Sequence, residues 1–263
     1  MIENERLDYL VGILLRENNE YSGIAIPGSV AEKRRLLRAL MNVRPPLPVT
    51  DDFVALQDEE LQKQLKEKGT VDVGELSYKG KGRYAIWQGD ITRLKVDAIV
   101  NAANSRMLGC FVPLHGCIDN AIHSAAGVQL RLACNEIMNK KGHEEPTGEA
   151  IVTPGFNLPA KYVIHTVGPI VYGDRPTDED CRLLASCYRS CLEAAEQYHL
   201  KSIAFCCIST GEFRFPNREA AEIALETVDS YFSEHPDSTI KKVIFNVFKD
   251  KDRQIYAQLL RAD

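Results

Sequence analysis

Nowhere in the 263 residues is there an apolar run that could cross a bilayer, which takes about 20 consecutive residues. Residues 1–20 carry charges at Glu3, Glu5, Arg6, Asp8, Arg16, Glu17 and Glu20, where a secretory leader needs an unbroken apolar core. A basic face is missing too. The 32 Lys and Arg against 37 Asp and Glu leave a net charge of -5, and the cations are scattered, so neither a nucleic-acid duplex nor a membrane is an expected partner. Neither G-x-G-x-x-G nor G-x-x-x-x-G-K-[ST] occurs, which removes the dinucleotide fingerprint and the P-loop as ways of holding phosphate. The eight cysteines do not form the framework of a small disulfide scaffold. Cys187 and Cys191 stand four apart on a predicted helix, and Cys206 and Cys207 lie inside the apolar run SIAFCCIS. A cytoplasmic, reducing compartment is expected to keep them as thiols.

What is present concentrates in residues 104–127, NSRMLGCFVPLHGCIDNAIHSAAG. Cys110, His115 and Cys117 put two sulfurs and an imidazole into one loop containing glycine and proline. That donor set suits one zinc ion better than calcium or magnesium. Three protein ligands leave a tetrahedral ion one position short, open to water or substrate, as catalytic zinc sites are. Other readings stay open. Cysteine is among the most buried residue types, so the three could be core side chains, and a fourth ligand from His123 or Asp119 would close the shell and make the site structural.

Along the chain, residues 3–17, 30–43 and 51–68 show apolar positions at helical spacing, and Pro45, Pro46 and Pro48 interrupt them. Residues 1–78 therefore read as a helical extension and 79–263 as the main domain, with a Gly-Lys turn at 79–82. From Arg83 the pattern changes. YAIWQ, VDAIVN, AIVTPG, YVIHTV, SIAFCCI and KVIFNVF read as strands, separated mostly by helices over 118–126, 128–139, 178–198 and 217–233, with a last helix at 250–261. Such alternation predicts an α/β sandwich with a largely parallel sheet covered on both faces. Ligands in such sheets bind beyond the carboxyl ends of the strands. The loops there, at 89–92, 101–104, 153–155, 166–169 and 209–213, offer small residues, amides and free N–H groups suited to a diphosphate. The positive end of the helix at Ile118 could face the same anion.

GDIT at 89–92, VDAIVNAAN at 96–104, IDNAIHSAAG at 118–127, TGEAIVTPG at 147–155, YVIHTVGP at 162–169 and ISTGEFRFP at 208–216 together resemble a macrodomain. The resemblance runs from about residue 80 to the C-terminus and implies a three-layer α/β/α fold. Where most hydrolytic macrodomains have a glycine-rich run, this chain has GCFVPLHGC. That substitution and the helical extension resemble the zinc-dependent branch, whose members remove ADP-ribose from modified proteins and are associated with sirtuin-like ADP-ribosyltransferases and lipoyl carrier proteins.

The resemblance implies a role for each matching residue. Asp90 matches the acid that recognises adenine, with the Ile91 backbone beside it. Asn104 matches the amide that holds the distal ribose. Cys117, Ile118, Asp119 and Asn120 lie at the helix start, where Asp119 matches an acid that orients water or a ribose hydroxyl. Ser209, Thr210, Gly211, Glu212 and Phe213 match the second phosphate loop. There the chain departs from the family, with Glu212 and Arg214 in place of an apolar residue and a glycine. The glycine's loss bears on how closely that backbone can approach the ribose. Asn104, Asp119 and Glu212 are the expected catalytic residues, with Glu212 as base. The implied activity is hydrolysis of the glycosyl or ester bond between ADP-ribose and an acidic side chain of a carrier protein. The alternatives are an ADP-ribose-binding module without activity and a hydrolase of O-acetyl-ADP-ribose.

Overall fold

The computed structural model describes residues 2–260 except Ser22 and Lys81, so part of the turn at 79–82 and the end of the last predicted helix, Arg261, lie outside the described residues. Three helices come first: α1 (Glu3–Arg16), α2 (Val30–Val43) and α3 (Asp51–Lys68). Ser29 caps α2 by accepting from the Glu32 N–H at 3.3 Å, and Thr50 caps α3 by accepting from the Phe53 N–H at 3.2 Å. Their apolar faces meet in a core of their own, where Leu7, Leu10, Leu37 and Phe53 are buried. Val128, 60 residues beyond α3, belongs to the same core, so the three helices do not stand apart. Gln57 of α3 strengthens that join. It accepts from the Val128 N–H at 2.9 Å and donates to Gln129 at 2.7 Å.

The remaining elements are β1 (Val71–Asp72), β2 (Tyr84–Gln88), β3 (Leu94–Lys95), β4 (Ala98–Ala103), α4 (Ile118–Ala126), α5 (Val128–Lys141), β5 (Ala150–Pro154), β6 (Tyr162–Val167), α6 (Asp178–Gln197), β7 (Ser202–Phe205), α7 (Asn217–Glu234), β8 (Lys242–Val247) and α8 (Asp250–Leu259). Six strands form one sheet in the order β2-β8-β7-β4-β6-β5, parallel except for β5, which runs antiparallel at one edge. β1 and β3 form a separate two-residue parallel pair that alternation was too short to signal. β7 is shorter than the apolar run SIAFCCI, because the chain leaves the sheet after Phe205 to form the loop at 206–213.

Helices cover both faces of the sheet. On one, Tyr188 of α6 packs 5.0 Å from Phe205 of β7, and Tyr256 of α8 stacks 5.0 Å from Phe245 of β8. On the other, Asn101 of β4 and its cross-strand partner His165 of β6 point toward α4 and α5, meeting Asp119 and Cys134. Five parallel strands deliver their carboxyl ends to one rim. Four of the five loops expected to bind phosphate gather there; the fifth, 153–155, follows the antiparallel β5 and therefore lies at the opposite rim, where the Gly155 N–H donates to the Lys161 carbonyl at 2.8 Å.

At the opposite rim Asp97 ties three strands together. Its carboxylate accepts from Lys161 Nζ at 2.7 Å, from the Lys201 and Ser202 N–H groups at 2.9 and 3.0 Å, and from the Ser202 hydroxyl at 3.1 Å. Burial opposes its charge, yet these donors outweigh burial and hold its pKa below the ordinary carboxylate value. The folded-state pKa is the lower one, so this stabilisation is complete above the unfolded value of about 4 and is lost as pH falls through the folded value. Asp97→Asn should cost about 1–3 kcal/mol at neutral pH. Urea melts at successive pH values should show the gap to wild type closing in acid; a gap that stays constant would assign the loss to packing instead.

Candidate active site at the carboxyl ends of the strands

A cleft of 570 Å³ runs across that rim. Its order follows from the sheet. The ends of β2 and β8, at one edge, bring Asp90, Ile91 and Phe248, β7 brings Ser209–Phe213, and β4 leads into the loop carrying Cys110, His115 and Cys117. Asp90 caps the 3-10 turn Ile91–Arg93, with Oδ1 accepting from the Thr92 N–H at 3.0 Å and the Thr92 hydroxyl at 2.6 Å. Its Oδ2 faces Lys68 of α3 at 4.0 Å and remains free to accept. The cap and the recognition role are therefore compatible. Ile91 is 1 % exposed, so only its backbone can serve a ligand.

The donor atoms of Cys110, His115 and Cys117 all lie within 4.8 Å of one another. Cys110 Sγ is 3.6 Å from His115 Nδ1, and the other ring nitrogen, Nε2, faces Glu212 Oε1 at 3.8 Å. A carboxylate on the far nitrogen is the usual way a metal-binding imidazole is oriented. Cys117 caps α4, its sulfur accepting from the Asn120 N–H at 3.4 Å. Burial first, and the neighbouring Cys110 with it, push the Cys117 thiol up to about 12. Only a bound cation would hold it as thiolate at neutral pH. Two sulfurs and one imidazole converging in this way fit zinc in chemistry and number.

Among the described residues, neither His123 nor Asp119 joins that group. His123 forms a second, fully buried one with Cys134 and His165. Asn101 donates to His165 Nδ1 at 3.1 Å, so this ring carries its proton on Nε2 and gives it to Thr153 Oγ1 at 2.9 Å. With both nitrogens engaged, His165 has no lone pair for an ion. Asp119 is buried beside the cleft, accepting from Asn101 at 2.8 Å and from Asn104 at 3.4 Å. Burial pushes its pKa up to about 6 against those donors and the charge of Arg131.

The structure brings together Asp90, Asn104, Ile118, Asp119, Ser209, Thr210, Gly211 and Phe213 with the metal loop and Glu212. Asn120 does not line the cleft. Its side chain turns to α2, accepting from Arg38 at 2.8 Å and donating to the Val112 carbonyl at 3.0 Å. Sequence reasoning missed Phe248, which is 75 % exposed and lies in the cleft just past β8. The strand-end rule, applied to five loops, would have found it if extended to the sixth.

The Macro domain family model matches residues 100–224. A protein of Treponema medium named "Protein-ADP-ribose hydrolase" is 52% identical over 263 residues, covering 99% of this chain and 100% of that protein. The solved Trypanosoma brucei macrodomain in complex with ADP-ribose superposes with a TM-score of 0.66 at 31% identity, covering 85% of this chain and 94% of that one. This chain is a macrodomain. A Fusarium oxysporum protein named "Probable bifunctional ADP-ribose hydrolase/ADP-ribosyltransferase" is 46% identical over 246 residues, 88% of this chain but 41% of that longer protein.

Two backbone details shape the phosphate loop of this macrodomain. Arg214, where the family usually has glycine, keeps the left-handed conformation at φ 60, its N–H bonded to the Gly211 carbonyl at 3.0 Å. Losing the glycine therefore leaves the chain path intact, at a cost of about 1–2 kcal/mol. Among the described residues, the N–H groups of Gly211, Glu212 and Phe213 have no partner, which leaves three donors for an anion. Gly168 lets this loop close on the loop after β6, since a Cβ there would come within 2.0 Å of Ser209 Oγ. Gly168→Ala should cost about 1–3 kcal/mol and weaken ADP-ribose binding. Gly211→Ala, whose Cβ would meet nothing within 4 Å, should melt like wild type. Equal melting of both variants would refute the close approach.

Proposed function

We propose that this macrodomain is a zinc-dependent hydrolase that removes ADP-ribose from acidic side chains of a carrier protein, with residues 1–78 as a helical extension and 79–263 as the macrodomain proper. The observation that carries the reading is the convergence of Cys110, His115 and Cys117 within 4.8 Å in the cleft that also holds Asn104 and Asp119. The hydrolase names of the relatives from Treponema and Fusarium support its hydrolytic part.

Asp90 Oδ2 accepts from the exocyclic amine of adenine, the Ile91 backbone lies beside the base, and the exposed Phe248 ring gives the base a face to stack on. The free N–H groups of Gly211, Glu212 and Phe213, with the positive end of α4 at Ile118 and Asp119, hold the diphosphate. Asn104 grips the distal ribose, and Asp119 fixes the Asn104 amide. Cys110, His115 and Cys117 hold the ion, which when bound supplies Lewis acidity and fixed positive charge at the sugar end of the cleft. Glu212, 74% exposed, orients His115 and takes the proton of the attacking water. A carboxylate leaves without an acid to protonate it, so positioning and one water complete the reaction.

The Fusarium relative is named as a probable bifunctional ADP-ribose hydrolase/ADP-ribosyltransferase, which supports a place opposite an ADP-ribosyltransferase; that this is sirtuin-like and acts on a lipoyl-type carrier rests on the family resemblance. Eight free thiols suit a reducing cytoplasm. No helix among the described residues is long and apolar enough to cross a membrane.

Cys117→Ala should lose zinc and lower turnover on an ADP-ribosylated acidic protein by roughly 10²-fold or more, while ADP-ribose binding measured by calorimetry persists. Full turnover without zinc would end the metal reading. Wild-type binding with no release of ADP-ribose would mark the protein as a reader, and faster cleavage of O-acetyl-ADP-ribose than of modified protein would move the substrate to that ester.

A further inference from the structure

The loop from Cys110 to Cys117 has little of its own to hold it in shape. Among the described residues, its one internal backbone hydrogen bond is from the His115 N–H to the Val112 carbonyl at 3.2 Å. Leu114 adopts a left-handed backbone at φ 57, a conformation that persists in non-glycine residues only where surroundings impose it. Phe111 and Val112 are 41 % and 55 % exposed, and the Phe111 ring leans on the Arg131 guanidinium of α5, 4.2 Å from its centroid, rather than on a core of the loop's own. Left to itself, such a segment would sample many shapes, and the three donors would rarely converge.

The missing support comes from α2. Asn42, 1 % exposed, accepts from the Leu114 N–H at 2.9 Å and donates to the Ser124 hydroxyl of α4 at 2.9 Å, which pins the left-handed residue. Arg38, one turn earlier, spans two acceptors. Its Nη2 donates to the His115 carbonyl at 3.3 Å and to Asn120 Oδ1 at 2.8 Å. Asn120 is thereby oriented to donate from Nδ2 to the Val112 carbonyl, while its own N–H reaches Cys117 Sγ. Arg131 of α5 completes the join, donating to the Leu108 carbonyl at 2.6 Å and to the Met41 and Arg44 carbonyls at the end of α2. None of Arg38, Asn42 and Arg131 lines the cleft.

We infer that α2 is a working part of the metal site, with Arg38 and Asn42 as positioning residues that hold the Cys110–Cys117 loop in its ligating shape. The inference rests on the zinc reading for its catalytic consequence, but the pre-formed loop is a property of the protein without metal. Groups that orient ligands without touching the ion change metal affinity by about 10-fold to 100-fold. Neither residue lines the cleft of the adenine and diphosphate contacts, although Arg38 shares a neighbouring cavity with Asp90, so nucleotide affinity separates from metal affinity most cleanly at Asn42.

The test uses the full chain carrying Asn42→Ala, Arg38→Met or Arg38→Lys, with Arg35→Met on the same helix as control. Zinc affinity is read by competition with a chromophoric chelator, ADP-ribose affinity by calorimetry, stability by melting, and the alkylation rate of Cys110 and Cys117 in metal-free protein by peptide mass spectrometry. Asn42→Ala and Arg38→Met should weaken zinc binding roughly tenfold or more and speed alkylation, with ADP-ribose affinity unchanged. Arg38→Lys should fall between, since an ammonium keeps the charge and the donors that Nη2 supplies but sits on a shorter, more flexible stem than the planar guanidinium. Should either strong variant fail to fold, Arg38→Lys and Ser124→Ala, which removes the partner of Asn42, carry the same comparison. Unchanged zinc affinity and alkylation alongside a lowered melting temperature would overturn the inference and leave α2 a structural brace. Absence of zinc binding in wild type would refute the metal reading alone; the alkylation rates then decide, with a rise in the variants supporting α2 as positioner and equal rates overturning it.

Discussion

The first turn of α4 is the point on which the rest depends. Successive residues of a helix are rotated by about 100°, so Cys117, Asp119 and Asn120 point in different directions from one short stretch. Cys117 caps the helix and offers its sulfur to the metal loop. Asp119 reaches down to Asn101 and Asn104 of the β4 strand and its loop. Asn120 reaches back to Arg38 of α2. Sheet, metal loop and N-terminal helices are thus referred to the same backbone. A shift of that turn would displace all three together.

Strain and unsatisfied polarity gather around the same place. Of the six non-glycine residues with positive φ among those described, Met107, Leu114, Ser209 and Arg214 lie in the two loops that border the cleft. The buried polar atoms without partners include Asn101 Oδ1, both ring nitrogens of His123 and Ser209 Oγ, all at or beneath the cleft. Arg38 Nε and Glu145 Oε1 are the other two among the described residues, so most of the unsatisfied polarity lies here, where binding geometry takes precedence over local preference. The low polarity under the sheet has a matching effect on charge. It raises the pKa of Asp119 and lowers those of His123 and His165, so the layer beneath the cleft holds neutral imidazoles and a weakly acidic carboxyl.

The elements were legible in the residues to differing degrees. Period-two runs such as YVIHTV and KVIFNVF and the helical spacing of 30–43 and 51–68 announce themselves, because a strand or helix face is set by residues two, three or four apart. The end of β7 was not legible, since Cys206 and Cys207 are as apolar as the strand before them and only the need to form a cleft loop takes them out of the sheet. Asn120 looked like a ligand residue because it follows Asp119. Its direction was settled by Arg38, 82 residues away in sequence.

By itself the sequence determined the alternating strands and helices, the rim on which loops would collect, and a Cys-x4-His-x-Cys segment with the right donors. Each of these is written in contiguous residues through periodicity or spacing. Only the tertiary structure decided that the three donors come within 4.8 Å, that His123 belongs to a different cluster, and that α2 lies against the back of the loop. Such outcomes depend on side chains that meet across long separations in the chain, and no local pattern encodes where a distant arginine or asparagine will arrive.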